Sequence, residues 1–170
     1  MKLKKFLGVI ALPLFAITLV AQEVEEVVVT GSYIKSSPTD GASPVEIIGR
    51  DEIDNLNATT IADITANIAV NSGSENNSDS FTQGSTQGTS NINIRGLGLS
   101  STLVLIDGKR QTLYSSSAND GSVFVNTSAI PVIALDRVEV LKEGAASVYG
   151  SDAVAGVVNY ILRKDFTGLE

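Results

Sequence analysis

The chain has 170 residues, of which 43% are hydrophobic, 5% aromatic and 18% charged. Twelve basic against nineteen acidic residues give a net charge of -7, which argues against the basic face that nucleic-acid phosphates require. With no Cys and no His, the chain has no disulfide framework, no thiolate or imidazole metal site, no Cys nucleophile and no Ser-His-Asp triad.

Met1 to Lys5 carries three lysines, and Phe6 to Val20 is an uncharged, mostly apolar run interrupted by Pro13. A positive start, about fifteen apolar residues and a small residue behind them fit a secretory signal, whereas a membrane-spanning helix needs ~20 residues. Cleavage is expected after Ala21 and the signal segment is taken as residues 1–22, with an uncleaved anchoring helix as the alternative. Removing residues 1–22 takes away Lys2, Lys4 and Lys5 and leaves 148 residues with a charge of -10.

Residues 23–43 open with a β-branched run, Val27 to Thr30, that suits a strand, and continue as a linker punctuated by Pro38 and Gly41. Pro44 to Ile48 reads as the first strand of a domain expected over residues 44–165. Thr60-Ile61-Ala62-Asp63 has the form of a capping box with Asp in place of Glu. Ile61, Ile64 and Ile68 recur at helical spacing, so a helix is expected from about Thr60 to Ala69. Asn71 to Asn91 holds one large apolar residue, Phe81, among Ser, Thr, Asn, Gln and Gly. It lacks the apolar area to offset its ordering entropy and reads as a long loop, either ligand-facing or a spacer.

Ile92 to Arg95 alternates at strand period and leads into Gly96-Leu97-Gly98. Thr102 to Ile106 is a continuous apolar strand. Asp107-Gly108 then signals a hairpin to a further strand at Gln111 to Tyr114. A second polar loop spans Ser115 to Ser122. A short helix is expected from Ile130 to Leu135 after the cap candidates Thr127 and Ser128. Arg137 to Leu141 reads as a strand, Ala145 to Tyr149 as a helical turn ended by Gly150, and Gly156 to Leu162 as a last strand. The expected class is α+β, a small mixed β-sheet with short helices and long polar loops.

No motif for catalysis survives its context. Gly96-Leu97-Gly98 has Ser101 at the third position of a dinucleotide fingerprint and is followed by a strand where a helix is required. Gly84 to Gly88 has the glycine spacing of a nucleophile elbow, but Thr86 replaces its serine. Acidic neighbours such as Asp51 and Glu52 read as solvated surface carboxylates before they read as a glycosidase pair. Residues 75 to 80 lack the ordered ligand spacing of a calcium loop. No catalytic residue, metal site or cofactor is expected.

Five segments occur in a telling order: Asn93-Ile94-Arg95-Gly96-Leu97-Gly98; Thr102 through Asp107-Gly108-Lys109-Arg110; Ser128-Ala129-Ile130-Pro131; Asp136-Arg137-Val138-Glu139-Val140-Leu141-Lys142-Glu143-Gly144; and Ala146 through Asn159. In this order, and from about Glu23 to the last residue, the chain resembles the plug domain of TonB-dependent outer-membrane receptors. The resemblance implies a plug lodged inside a 22-stranded barrel, import of a large nutrient such as a siderophore, cobalamin or an oligosaccharide, and energy delivered through the C-terminal domain of TonB. It implies a place in the outer membrane, or in the periplasm for this chain on its own.

Under that resemblance, Glu26, Val27, Val28, Val29 and Thr30 look like the TonB box, a segment suited to adding as a strand to a partner's sheet edge. The alternative is an ordinary first strand. Asn77, Phe81, Gln83, Gln87, Asn119 and Asp120 are the ligand-facing candidates on the two polar loops. Arg95 and Arg137 match plug arginines that meet carboxylates on the barrel wall; alternatively they pair within the plug, for instance with Glu139 or Asp152. Gly96, Gly98, Gly108, Gly144, Gly150 and Gly156 are expected at turns or close backbone approaches. Residues 166–170 fall where a family member enters its barrel, and no set of alternating barrel strands is present in the chain. The chain is therefore expected to be the gate of a receptor, with a free-standing periplasmic binding module as the alternative and hydrolysis a distant third.

Overall fold

The β-branched and apolar runs of the sequence assemble into one open, mixed sheet with short helices laid against it. The computed structural model describes Thr30, residues 45–75 and residues 86–164. Five strands, β1 (Val45–Ile48), β2 (Thr102–Ile106), β3 (Lys109–Arg110), β4 (Leu135–Leu141) and β5 (Gly156–Leu162), are ordered β1-β4-β5-β2-β3. β5 pairs antiparallel with β4 and parallel with β2, so the two longest strands form its centre.

Strand alternation divides the core in two. Val104, Val138, Val140, Val158 and Tyr160 face one side, where Ile53 of helix α1 (Arg50–Asn55) and Ile61 and Ile64 of helix α2 (Ile61–Asn67) cover them together with Ile92 and Ile94. Burial in this layer pushes the Tyr160 phenol well above its ordinary pKa and keeps it neutral. On the other side Leu103, Leu105, Leu141 and Val157 pack with Ala145, Ala153 and Tyr149 around helix α3 (Ala146–Tyr149). Among the described residues, the apolar cover on this second side ends partway along the strands, and that is where the polar cluster described below begins.

Helix α2 begins with the capping box the sequence signals. The Thr60 side chain accepts from the Asp63 amide, while the Asp63 carboxylate accepts from the Thr60 amide at 2.8 Å and the Thr59 amide at 3.0 Å. Bonds from Thr60 and then Thr59 hold the Asp63 carboxyl below its ordinary pKa. A depressed folded pKa makes this contribution present above the ordinary carboxylate value and lost as pH falls through the lowered one. The helix stops at Asn67, two residues short of the expected Ala69, because Ile68 turns to an extended conformation.

Several local expectations are corrected. α1 lies in a segment without a helical pattern. The strand expected at Gln111 to Tyr114 is instead the two-residue β3, entered through a turn in which Asp107 and Gly108 both have positive φ, 48° and 74°. Ile92 to Arg95 forms only a single bridge, Ile94 to Asn71, because its backbone is stitched by side chains: Thr102 Oγ1 accepts from the Ile94 amide at 3.0 Å and Asn71 Oδ1 from the Asn93 amide at 3.0 Å. The helix expected over Ile130 to Leu135 is replaced by two 3-10 turns, Thr127–Ala129 and Val132–Ala134, separated by Pro131 and followed directly by β4. The cap of the first turn is Asn126, whose side chain accepts from the Ser128 amide.

Candidate functional site

The polar loops are partly built into the domain. Thr86, Thr89, Ser90 and Asn91, from the end of the first loop, are buried. Hydrogen bonds take the place of apolar contact there: Ser90 Oγ and Thr127 Oγ1 lie 2.7 Å apart, the Ser90 amide donates to Asn126 Oδ1 at 3.2 Å, and Thr89 Oγ1 donates to the Thr86 carbonyl at 2.6 Å. Gln87 stays exposed between these anchors, as do Asn119 and Asp120 on the second loop. The loops meet where the Asn119 amide donates to the Glu75 carboxylate at 3.2 Å. Asp120 accepts from the Ser122 hydroxyl at 2.7 Å and its amide at 2.8 Å, which holds its carboxyl below the ordinary pKa. Asn77, Phe81 and Gln83 lie outside the described residues, as do Glu26, Val27, Val28 and Val29.

This loop cluster belongs to one end of the sheet. Ala118 and Phe124 pack on Leu99, in the turn that leads into β2, and Tyr114 joins them with its ring 5.5 Å from that of Phe124. Arg95 is at the same end. It is exposed, with a φ of 58°, and donates from Nη2 to the Ala155 carbonyl at 2.8 Å, just before β5 begins.

Thr30 lies against the middle of β5, toward the end of β2. Glu139 on β4 and Asn159 on β5 are cross-strand partners and so share a face. Both are buried, with exposures of 0% and 1%. Glu139 Oε1 accepts from Arg137, at 3.0 Å from Nε and 2.9 Å from Nη2, while Arg137 Nη1 contacts Asp136 at 2.8 Å. Glu139 Oε2 accepts from the Thr30 hydroxyl. Asn159 Nδ2 donates to that same hydroxyl oxygen at 2.9 Å, and Asn159 Oδ1 accepts from the Gly108 amide at 2.9 Å in the β2–β3 turn. The buried carboxylate is thus matched by a guanidinium and a hydroxyl, which offsets its desolvation. Beside it a cleft of about 410 Å³, lined by Asp107, Asp136, Arg137, Ile161, Leu162, Arg163 and Lys164, opens at the end of β5.

Arg137 therefore pairs with Glu139, one of the two carboxylates considered for it. The other, Asp152, is held at 2.6 Å by Arg110. The sequence marked Glu139 as a possible arginine partner and Asn159 only as the end of the last family-like segment. The place of Glu139 between Val138 and Val140 in β4 was a signal for the first. Nothing local was a signal for the second.

The family model for the TonB-dependent receptor plug domain matches residues 37–157. An iron-regulated outer membrane virulence protein of Vibrio cholerae is 42% identical over 78 residues, which are 45% of this chain and 12% of that protein. Among solved structures, the siderophore receptor PirA from Acinetobacter baumannii superposes with a TM-score of 0.52 at 29% identity, over 71% of this chain and 17% of that one. The ferric enterobactin receptor PfeA from Pseudomonas aeruginosa, solved as a mutant with enterobactin, gives 0.51 at 28% identity over 74% and 18%. The chain thus spans less than a fifth of the length of these relatives.

Proposed function

Since the chain belongs to the plug domains of TonB-dependent receptors, the gating element of transporters in the outer membrane, we propose that it gates energised import of a ferric siderophore through a surrounding barrel. The observation that carries this reading is the separation of the two candidate surfaces. The exposed loop residues Asn119 and Asp120 gather near Leu99 before β2 begins, Gln87 is carried beside Asn126 to Ser128, and Thr30 is seated at the middle of β5, toward the end of β2. A gate needs this arrangement, with a ligand signal on one side and a pulling point on the other. Glu26 to Thr30 is the pulling point in this account, engaging the C-terminal domain of TonB by strand addition.

Siderophore is favoured over cobalamin or oligosaccharide because the similar structures are siderophore receptors and the V. cholerae relative is iron-regulated. Arg95, exposed at the loop end, is assigned to carboxylates of the barrel wall. Arg137, already forked between Asp136 and Glu139, offers that wall a partly neutralised cation. The test of partnership is capture of the full receptor, in detergent with its ferric siderophore bound, on immobilised TonB C-terminal domain. Retention is expected, and equal recovery on a blank resin would overturn the reading.

A further inference from the structure

The two polar loops carry charge of one sign. Between Arg50 and Arg95, and again between Arg110 and Arg137, the sequence holds no Lys and no Arg. The cations that bound these stretches are engaged elsewhere. Arg50 contacts Asp54 at 2.6 Å, Arg95 donates to the Ala155 carbonyl, Arg110 binds Asp152 and the Tyr149 carbonyl, and Arg137 is forked between Asp136 and Glu139. Carboxylates stand where the loops meet. The Glu75 amide donates to Oδ1 of the buried Asn91 at 2.8 Å, which ties Glu75 to the anchored end of the first loop. Its carboxylate accepts from the Asn119 amide on the second loop. Asp120 follows Asn119 directly, is exposed, and is kept ionised by its two bonds from Ser122.

Resting on the reading of these loops as the ligand face of a siderophore gate, we propose that Glu75 and Asp120 determine the charge of the cargo. They select a ferric complex that is uncharged or cationic, of the trishydroxamate type, against the triply negative tricatecholate. Three hydroxamates balance the charge of ferric iron, whereas three catecholates exceed it by three. A trianion brought up to Asn119 meets two carboxylates and no cation from either loop, so it is repelled. Rejection by like charge is as effective a source of specificity as an added attraction. An uncharged chelate pays no such penalty, and the exposed Asn119, Ser115 and Ser117 offer neutral donors and acceptors to its amide and hydroxamate groups. Glu75 is also a positioning residue, because its carboxylate holds the Asn119 backbone against the first loop.

The test is equilibrium binding to the full receptor in detergent, at low and at physiological ionic strength. The probes are a panel of linear and cyclic ferric trishydroxamates and a matched panel of ferric tricatecholates. The best trishydroxamate is expected to bind at least about tenfold more tightly than the best tricatecholate at low salt, with the gap narrowing as salt screens the carboxylates. Glu75→Gln combined with Asp120→Asn removes both charges and keeps an acceptor for the Asn119 and Ser122 amides. It is expected to shift the ratio of the two affinities about tenfold toward the tricatecholate. A tricatecholate preferred by the native receptor, or a ratio unmoved by the paired substitution, overturns the charge assignment and leaves the siderophore reading standing. If no member of either panel binds, the siderophore reading itself falls, and the charge assignment with it.

Discussion

Gly156→Ala is expected to destabilise the domain by about 3 kcal/mol, at the upper end of what overpacking a core costs. Gly156 opens β5 between the two core layers, and a Cβ there would lie 2.4 Å from the Leu141 carbonyl oxygen and 2.9 Å from Ile94 Cδ1. Neither neighbour can yield cheaply. The carbonyl belongs to β4, paired with β5 on one side and β1 on the other, and Ile94 is fully buried under the same sheet. For a domain of this size the melting temperature should fall on the order of 10 °C. Gly49→Ala is the matched control, since a Cβ there meets nothing within 4 Å and φ is -78°. Its melting temperature should fall by only about 4 °C, because Gly49 is the N-cap of α1 and Ala is the poorer cap by roughly 1 kcal/mol. Equal melting of the two variants in a calorimeter would refute the close-approach argument.

The second large effect is on function. Val28→Pro is expected to reduce energised uptake at least about tenfold while leaving ligand binding at the cell surface unchanged, because proline removes an amide and fixes φ in a segment that must add as a strand. Asn119 and Asp120, assigned to the ligand, lie near Leu99 ahead of β2, whereas Thr30 is seated toward the end of β2, so the two readouts should separate. Undiminished uptake by Val28→Pro would remove the TonB box from this account. A parallel loss of ligand binding would point instead to an ordinary structural strand.

Much of the fold is legible locally. β5 and β2 are continuous β-branched or apolar runs, and α2 announces itself through Thr60, Asp63 and the isoleucine spacing. α1 is not legible, because Arg-Asp-Glu-Ile-Asp-Asn carries one apolar residue. Its place is set by contacts distant in sequence: Ile53 in the core, and Arg50 donating to the Val132 and Leu135 carbonyls at 3.1 and 3.3 Å. Ile92 and Ile94 alternate like a strand, yet both serve the core beneath the sheet without joining its ladder. The polar run before them misleads in the other direction, since Thr86, Thr89 and Ser90 are buried through hydrogen bonds and not through apolar area. The seat of Thr30 was beyond local reading, for its partners lie 109 and 129 residues away. What the sequence did carry to the site was the ordered set of segments from Asn93 to Asn159, which the family match confirms as a plug.

The central claim is that this plug gates an import driven through TonB. The most direct measurement is accumulation of radiolabelled iron, supplied as a ferric siderophore, by iron-starved cells that carry the full receptor as their sole uptake route, compared with the same cells lacking TonB. Accumulation is expected only where TonB is present, with equal surface binding in both. Equal accumulation in the two strains would contradict the account.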